Sequence, residues 1–344
     1  MSPMPPGGLR IVDVSNPAHP HELGLYVAWN WAEGVAVIGG LAYIGYYYGG
    51  LSVVDVSNPV NPHELGFCPG YSVDVEVAGG YAYLADTVGL QIVDVSNPTA
   101  PHKVGFCETP NGVARGVALA GGYAYVADWD MGLRVVDISD PANPHEVGAY
   151  DTPGLAFDVA VAGGLAYIAD GNRGLRILDV SNPSSPRQVG ACNTPGLAFG
   201  VAVAGGLAYI AHSGGGLRMV DISDPARPHE VGFYDTPNDA LDVAVAGGLA
   251  YVADVWSLRV VDISDPARPR EVGFYDTPGA ARGVAVAGSL VYVADDYAGL
   301  VILRCLAPTP VPTRTPSLTR TATPKPTFTC TPTAPSVRLP LVLR

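Results

Sequence analysis

The chain has 344 residues, 48% of them hydrophobic and 15% charged, with a net charge of −13. Such apolar content excludes a disordered polypeptide, and the acidic balance argues against nucleic acid or anionic lipid as partner, since both require a counterion-releasing basic patch. No run of 18 or more apolar residues occurs, so no spanning helix is predicted, and the opening MSPMPPGGLR lacks the apolar core of a signal peptide.

Forty-two glycines and 32 prolines, against four methionines and seven phenylalanines, point to short strands joined by tight turns. In chain order, GLRIVDVS at 8–15 recurs as GLSVVDVS, GLQIVDVS, GLRVVDIS, GLRILDVS, GLRMVDIS and SLRVVDIS, with a worn copy, GLVILR, at 299–304. The aspartates Asp13, Asp55, Asp94, Asp137, Asp179, Asp221 and Asp262 stand 42, 39, 43, 42, 42 and 41 residues apart. Each unit holds four strand-length segments, as in DVAVAGG (158–164), LAYIAD (165–170), LRILDVS (175–181) and RQVGACN (187–193), separated by Gly-Gly, Asp-Gly or Ser-Asn-Pro turns. Four strands in such a period make one propeller blade. The prediction is an all-β protein, a β-propeller of about seven four-stranded blades over residues 1–306.

The small residues of VAVAGG suit an innermost strand, where wedge-shaped blades crowd the axis. Tyr43, Tyr83, Tyr125, Tyr167, Tyr209, Tyr251 and Tyr292 fall at one slot of the second strand and read as packing residues. The third-strand motif, LRIVD at 9–13 and LRVVD at 133–137, together with AYVAD and the SNP or SDP turn, resembles the LVIVD repeat family over residues 8–304. That resemblance implies a propeller, usually extracytoplasmic in bacteria, and no agreed activity. Because third strands outnumber the others by one, residues 21–27 are expected to complete the blade formed by 283–304, leaving 8–15 over. The alternative is an eighth blade that has lost two strands upstream.

Residues 307–335 form a Pro/Thr-rich segment that cannot bury apolar surface and is expected to be a disordered, extended stalk, followed by the short apolar and basic element SVRLPLVLR at 336–344. Residues 305–344 carry +5, so residues 1–304 carry −18. The tail is similar to those of secreted bacterial proteins and suggests an extracellular or cell-surface location. Cys68, Cys107, Cys192, Cys305 and Cys330 are an odd set with no CxxC pair; three occupy a slot otherwise held by tyrosine.

Variation between repeats concentrates in the second-to-third and blade-to-blade loops, which a propeller path gathers on one face. Trp29, Trp31, Trp129 and Trp256 all lie there, with Tyr46, Tyr47, Tyr48, Asp130, Arg173, His212 and Tyr297. Aromatics on loops give large contact area at small entropic cost, so these residues are the candidate ligand-binding set. Asp74, Asp158 and Asp242 open alternate inner strands and would suit calcium, although hydrogen bonding to a neighbouring blade is the preferred reading. His212 replaces an aspartate of the repeat. No Ser/His/Asp order, phosphate loop or HExxH occurs. The leading expectation is therefore a monomeric, non-enzymatic surface module binding a protein or glycan, without a cofactor. An extracellular hydrolase or lyase using Asp130 and Asp296, or a purely structural scaffold, are the alternatives.

Overall fold

A computed structural model describes residues 9–14, 21–26, 30–109, 113–288, 290–296 and 299–305. Every regular element among them is a β-strand. The 116–150 sheet shows the local logic: Gly116–Ala120, Tyr123–Ala127, Leu133–Asp137 and His145–Tyr150 pair antiparallel in chain order. Its first turn needs Gly121 and Gly122, whose φ values of 60° and 83° are the left-handed pair of a tight hairpin. The second strand is buried on both faces, and cores form between neighbouring sheets: Tyr125, Leu133 and Val135 meet Val159, Ile168 and Leu178 of the next repeat. Blades thus adhere through interdigitated Val, Leu, Ile and Tyr side chains, each worth about 1.5–3 kcal/mol when fully buried.

Among the described residues six sheets form, five of four strands (32–68, 74–108, 116–150, 158–192 and 198–234) and one of seven. This corrects the expected count of about seven separate four-stranded blades. The merger has a local cause. Strand Arg270–Ala287 runs unbroken from the outer position of one repeat to the inner position of the next, and Leu249–Asp262 joins two strands of its repeat. The pairing Val255–Ala281 that links them recurs elsewhere as the single bridges Trp129–Ala156 and Gly171–Ala198. The inner segments still close a ring, the 281–287 portion lying between Asp242–Ala246 and Ala32–Ile38.

The closure also differs from expectation. Leu9–Val14 is not left over: it adds in parallel to Gly299–Cys305, and His21–Tyr26 pairs antiparallel with it at the sheet edge. His21–Tyr26 therefore pairs with Leu9–Val14 rather than directly with Gly299–Cys305. Inserting Leu9–Val14 pairs a strand that would otherwise expose two rows of backbone groups. Residues 308–344, a separate unit that includes most of the predicted stalk and all of the terminal element, and Ala307 lie outside the described residues. No described helix is long and apolar enough to cross a membrane.

Candidate functional site

Backbone bonds sort the turns onto two ends of the ring. At one end the motif is uniform: Val56, Val95, Ile138, Val180, Ile222 and Ile263 each donate to the second glycine of the preceding Gly-Gly turn, at 2.9–3.0 Å. At the other end, four of the loops entering a repeat are tied to the carboxylate that ends its second strand. Asp128 accepts from Val113 N–H at 3.2 Å, Asp170 from Gly154 at 3.0 Å, Asp254 from Asn238 at 2.9 Å and Asp295 from Gly279 at 3.0 Å. These carboxylates, buried in the structure, hold the variable loops in place rather than facing solvent.

His212 occupies the same slot. Its Nε2 accepts the Gly196 N–H at 2.6 Å, the ring is 1% exposed, and burial followed by the nearby Arg218 charge lowers its pKa. It is a neutral stand-in for the repeat's aspartate, placed to fasten a loop.

At the same end the inner strands open into a central channel of about 810 Å³. Asp74, Asp158 and Asp242 line it, and each carboxylate spans two strands. One oxygen accepts the N–H of the next residue, at 2.7–2.8 Å; the other accepts from Val117, Val201 or Val284 of the following repeat, at 2.7–2.9 Å. Burial raises all three pKa values, that of Asp242 to about 6; Asp158 is raised further by the charges of Asp242 and Asp74. Among the described residues, no group of three or more His, Cys, Asp or Glu is arranged to hold a metal.

Glycine alternates with these aspartates for a steric reason: a Cβ on Gly116 would lie 2.8 Å from Asp158 Cα, and one on Gly200 2.9 Å from Asp242 Cα. Seven positions cannot alternate around a closed ring. Gly283 therefore meets Gly34 at the seam, beside Glu33 and the Arg282–Asp296 ion pair at 3.0 Å.

One residue before each of these positions stands the channel-mouth set that sequence reasoning passed over. Phe157, Phe199 and Leu241 make an apolar arc, the two phenylalanine rings meeting edge-to-face at 4.8 Å; Glu33, Arg115 and Arg282 make a charged one, interrupted by Val73. The signal was present, because this column holds Glu, Val, Arg, Phe or Leu from repeat to repeat while the strand after it stays close to Val-Ala.

The predicted loop residues are partly brought together. Trp31 and Tyr47 both contact Tyr48, at 5.6 and 4.6 Å between ring centroids, and Tyr71 joins them at 6.0 Å. Trp31, Tyr48 and Tyr71 are 38%, 60% and 45% exposed, so the cluster is a surface patch; Tyr71 had not been anticipated. Tyr46, by contrast, is buried in a core.

Trp129 and Trp256 stand on other sheets, as do the exposed Asp130 and Arg173. Trp129 and Val255 hold φ of 39° and 38° at the slot where Gly171 has 50°. Left-handed backbone at a tryptophan and a β-branched residue costs about 1 kcal/mol or more each. The neighbouring Trp256 is 55% exposed. Asp296, buried and paired with Arg282, is not a free loop carboxylate. Trp29 and Tyr297 lie outside the described residues.

A closed ring of four-stranded antiparallel repeats, with uniform turns at one end and variable loops at the other, defines the β-propeller class. Solved structures agree at the level of fold. The chain is similar to the computationally designed Ika8 protein (TM-score 0.62, 6% identity, 87% of this chain and 100% of that one) and to Saccharomyces cerevisiae Sqt1 (TM-score 0.61, 8% identity, 80% and 96%). It is also similar to the WD40 β-propeller domain of Doa1 (TM-score 0.65, 11% identity, 79% and 92%). No curated protein matches. The chain belongs to the LVIVD repeat family, which matches it eight times, at residues 6–28, 31–68, 69–109, 111–152, 153–194, 195–236, 237–277 and 278–303.

Proposed function

We propose that this chain is a non-catalytic binding module, displayed outside the cell, that takes a protein or glycan ligand on its variable-loop end. The observation that carries the reading is the concentration of repeat-breaking loop residues at that end. The channel mouth sets Phe157, Phe199 and Leu241 against Glu33, Arg115 and Arg282, and Trp31, Tyr48 and Tyr71 stand exposed in the aromatic cluster that Tyr47 joins. Concave apolar walls with a few charged groups, and rigid exposed aromatics, are the means by which ligand sites gain contact area at low entropic cost. The opposite end repeats one turn geometry in six repeats. The composition of the Pro/Thr-rich tail supports the extracellular placement.

A glycan and peptide array probed with the full chain tests the reading. A hit whose affinity falls about tenfold or more in Phe199→Ala or Tyr48→Ala, and is unchanged in His145→Ala, supports it. Retention of full affinity in both aromatic variants overturns the assignment of the face.

A further inference from the structure

Four sheets carry arginine at one register position of the third strand: Arg134, Arg176, Arg218 and Arg259. Arg176 and Arg259 pair with the carboxylates ending their second strands, Asp170 at 3.3 Å and Asp254 at 3.1 Å. Arg218 and Arg259 also lie 4.5 and 4.7 Å over the rings of Phe233 and Phe274, their cross-strand partners. Arg259 does both, filling a slot between the buried acid Asp254 and the outer-strand aromatic Phe274.

In the 74–108 sheet that slot has lost its occupant. Gln91 stands at the arginine position, opposite Phe106 in register, with Asp86 ending the second strand. Two neighbouring positions change with it. The outer-strand acid seen at Glu230 and Glu271 is Lys103, and the tyrosine that elsewhere bonds the next sheet's acid, as Tyr234 does Glu271 at 2.6 Å, is Cys68.

The result is a groove of about 540 Å³ lined by Asp86, Val88, Gln91, Lys103 and Phe106, among others. Gln91 is 3% exposed and its Nε2 has no partner; Asp86 is 5% exposed. Among the described residues, the Asp86 side chain has one side-chain hydrogen bond, from Thr87 Oγ1 at 3.1 Å, and no ion pair with Lys103. Leaving such groups unpaired is unfavourable in a closed core, and they point to a ligand when they line an open groove.

We propose that this groove receives an arginine side chain of a partner polypeptide. The guanidinium pairs with Asp86 and stacks on Phe106, as Arg259 does with Asp254 and Phe274. The backbone carbonyl of the same residue accepts the Gln91 Nε2 hydrogen bond. The −18 charge of residues 1–304 attracts a cationic partner. The groove lies mainly on the outer strands of one sheet, with Asp86 and, from the next repeat, Ala142 at its border; it shares no lining residue with the channel and does not depend on the function proposed there.

Titration calorimetry of the full chain with N-acetyl-arginine amide tests this, with the citrulline amide as uncharged isostere and methyl glycosides as competitors for the same walls. The expected result is saturable binding of the arginine amide, weakened about tenfold or more for citrulline and in Asp86→Asn, the loss of one charge-assisted pair. In Gln91→Arg the chain's own guanidinium fills the slot, so binding is lost while the Tm is at or above that of the wild type. No saturable binding, equal binding of citrulline, binding retained in Gln91→Arg, or glycoside binding in its place overturns the proposal.

Discussion

Asp158 accepts the backbone N–H of Val201 at 2.8 Å, across the junction between two repeats. Asp74 and Asp242 make the same bond to Val117 and Val284, so three carboxylates fasten alternate junctions around the channel. An asparagine has one acceptor oxygen where the carboxylate has two. Asp158→Asn should therefore lose one of two backbone bonds and cost about 1–2 kcal/mol, read as a lower denaturation midpoint at unchanged slope.

Burial raises Asp158 well above its ordinary value, Asp242 to about 6 and Glu76 to about 7. A carboxyl whose pKa is raised by folding binds its proton more tightly when folded. Its contribution to stability is full below the unfolded value of about 4 and is lost as pH rises through 6 to 7. Asp179 and Asp262 have the opposite sign: serine and arginine partners lower both to about 2, so their contribution is lost as pH falls toward that value. Tm should peak at about pH 4–6 and decline toward pH 8, with a flatter alkaline limb in the Asp158→Asn, Asp242→Asn double variant. A Tm that climbs steadily from pH 5 to 8 would rule this out.

The alternation of glycine with aspartate predicts an asymmetric response to one methyl group. A Cβ on Gly116 would stand 2.8 Å from the Asp158 Cα, backbone that cannot move aside, and equally close to its Oδ1. Gly116→Ala should destabilise by about 2 kcal/mol or more, the cost of overpacking. An unchanged urea midpoint would show that the junction is looser than these distances imply.

His212 should be replaceable by the residue its repeat slot calls for. An aspartate there can accept the Gly196 N–H as Asp170 accepts that of Gly154, and it gives Arg218 the partner that Arg176 finds in Asp170. His212→Asp should keep or raise the Tm. His212→Ala leaves a buried N–H unpaired and should cost about 1–3 kcal/mol. Because burial lowers the histidine's pKa, its contribution is present above about 6.5 and lost as pH falls through the lowered value. The difference between wild type and His212→Ala should therefore shrink in acid.

Ring closure gives a graded prediction. Leu9–Val14 lies between Gly299–Cys305 and His21–Tyr26, so removing residues 1–28 takes both strands from the edge, whereas removing 1–20 leaves His21–Tyr26 able to pair with the exposed edge. Both truncations should melt below the intact chain, and the longer one lower. Equal melting of all three would show that the terminal strands contribute nothing to the ring.

The sequence by itself determined the repeat, its four strands, the family and the two unlike ends, because each follows from local periodicity. A Gly-Gly turn fixes a hairpin, and a slot filled by Tyr43 through Tyr292 at every period fixes a packing position. It also placed Trp31 and Tyr48 on loops that do meet. Only the tertiary structure decided what depends on contacts between repeats. Arg270–Ala287 merges two units into one sheet, and Leu9–Val14 inserts rather than standing spare, because strand edges seek any partner that completes their ladders. Tyr46 lies in a core although its neighbours Tyr47 and Tyr48 reach the surface. The groove at Asp86 and Gln91 appears only when the arginines of other repeats are seen filling its counterparts. A period shows which residue departs from its column, but the cavity that the departure leaves is a property of side chains packed across strands.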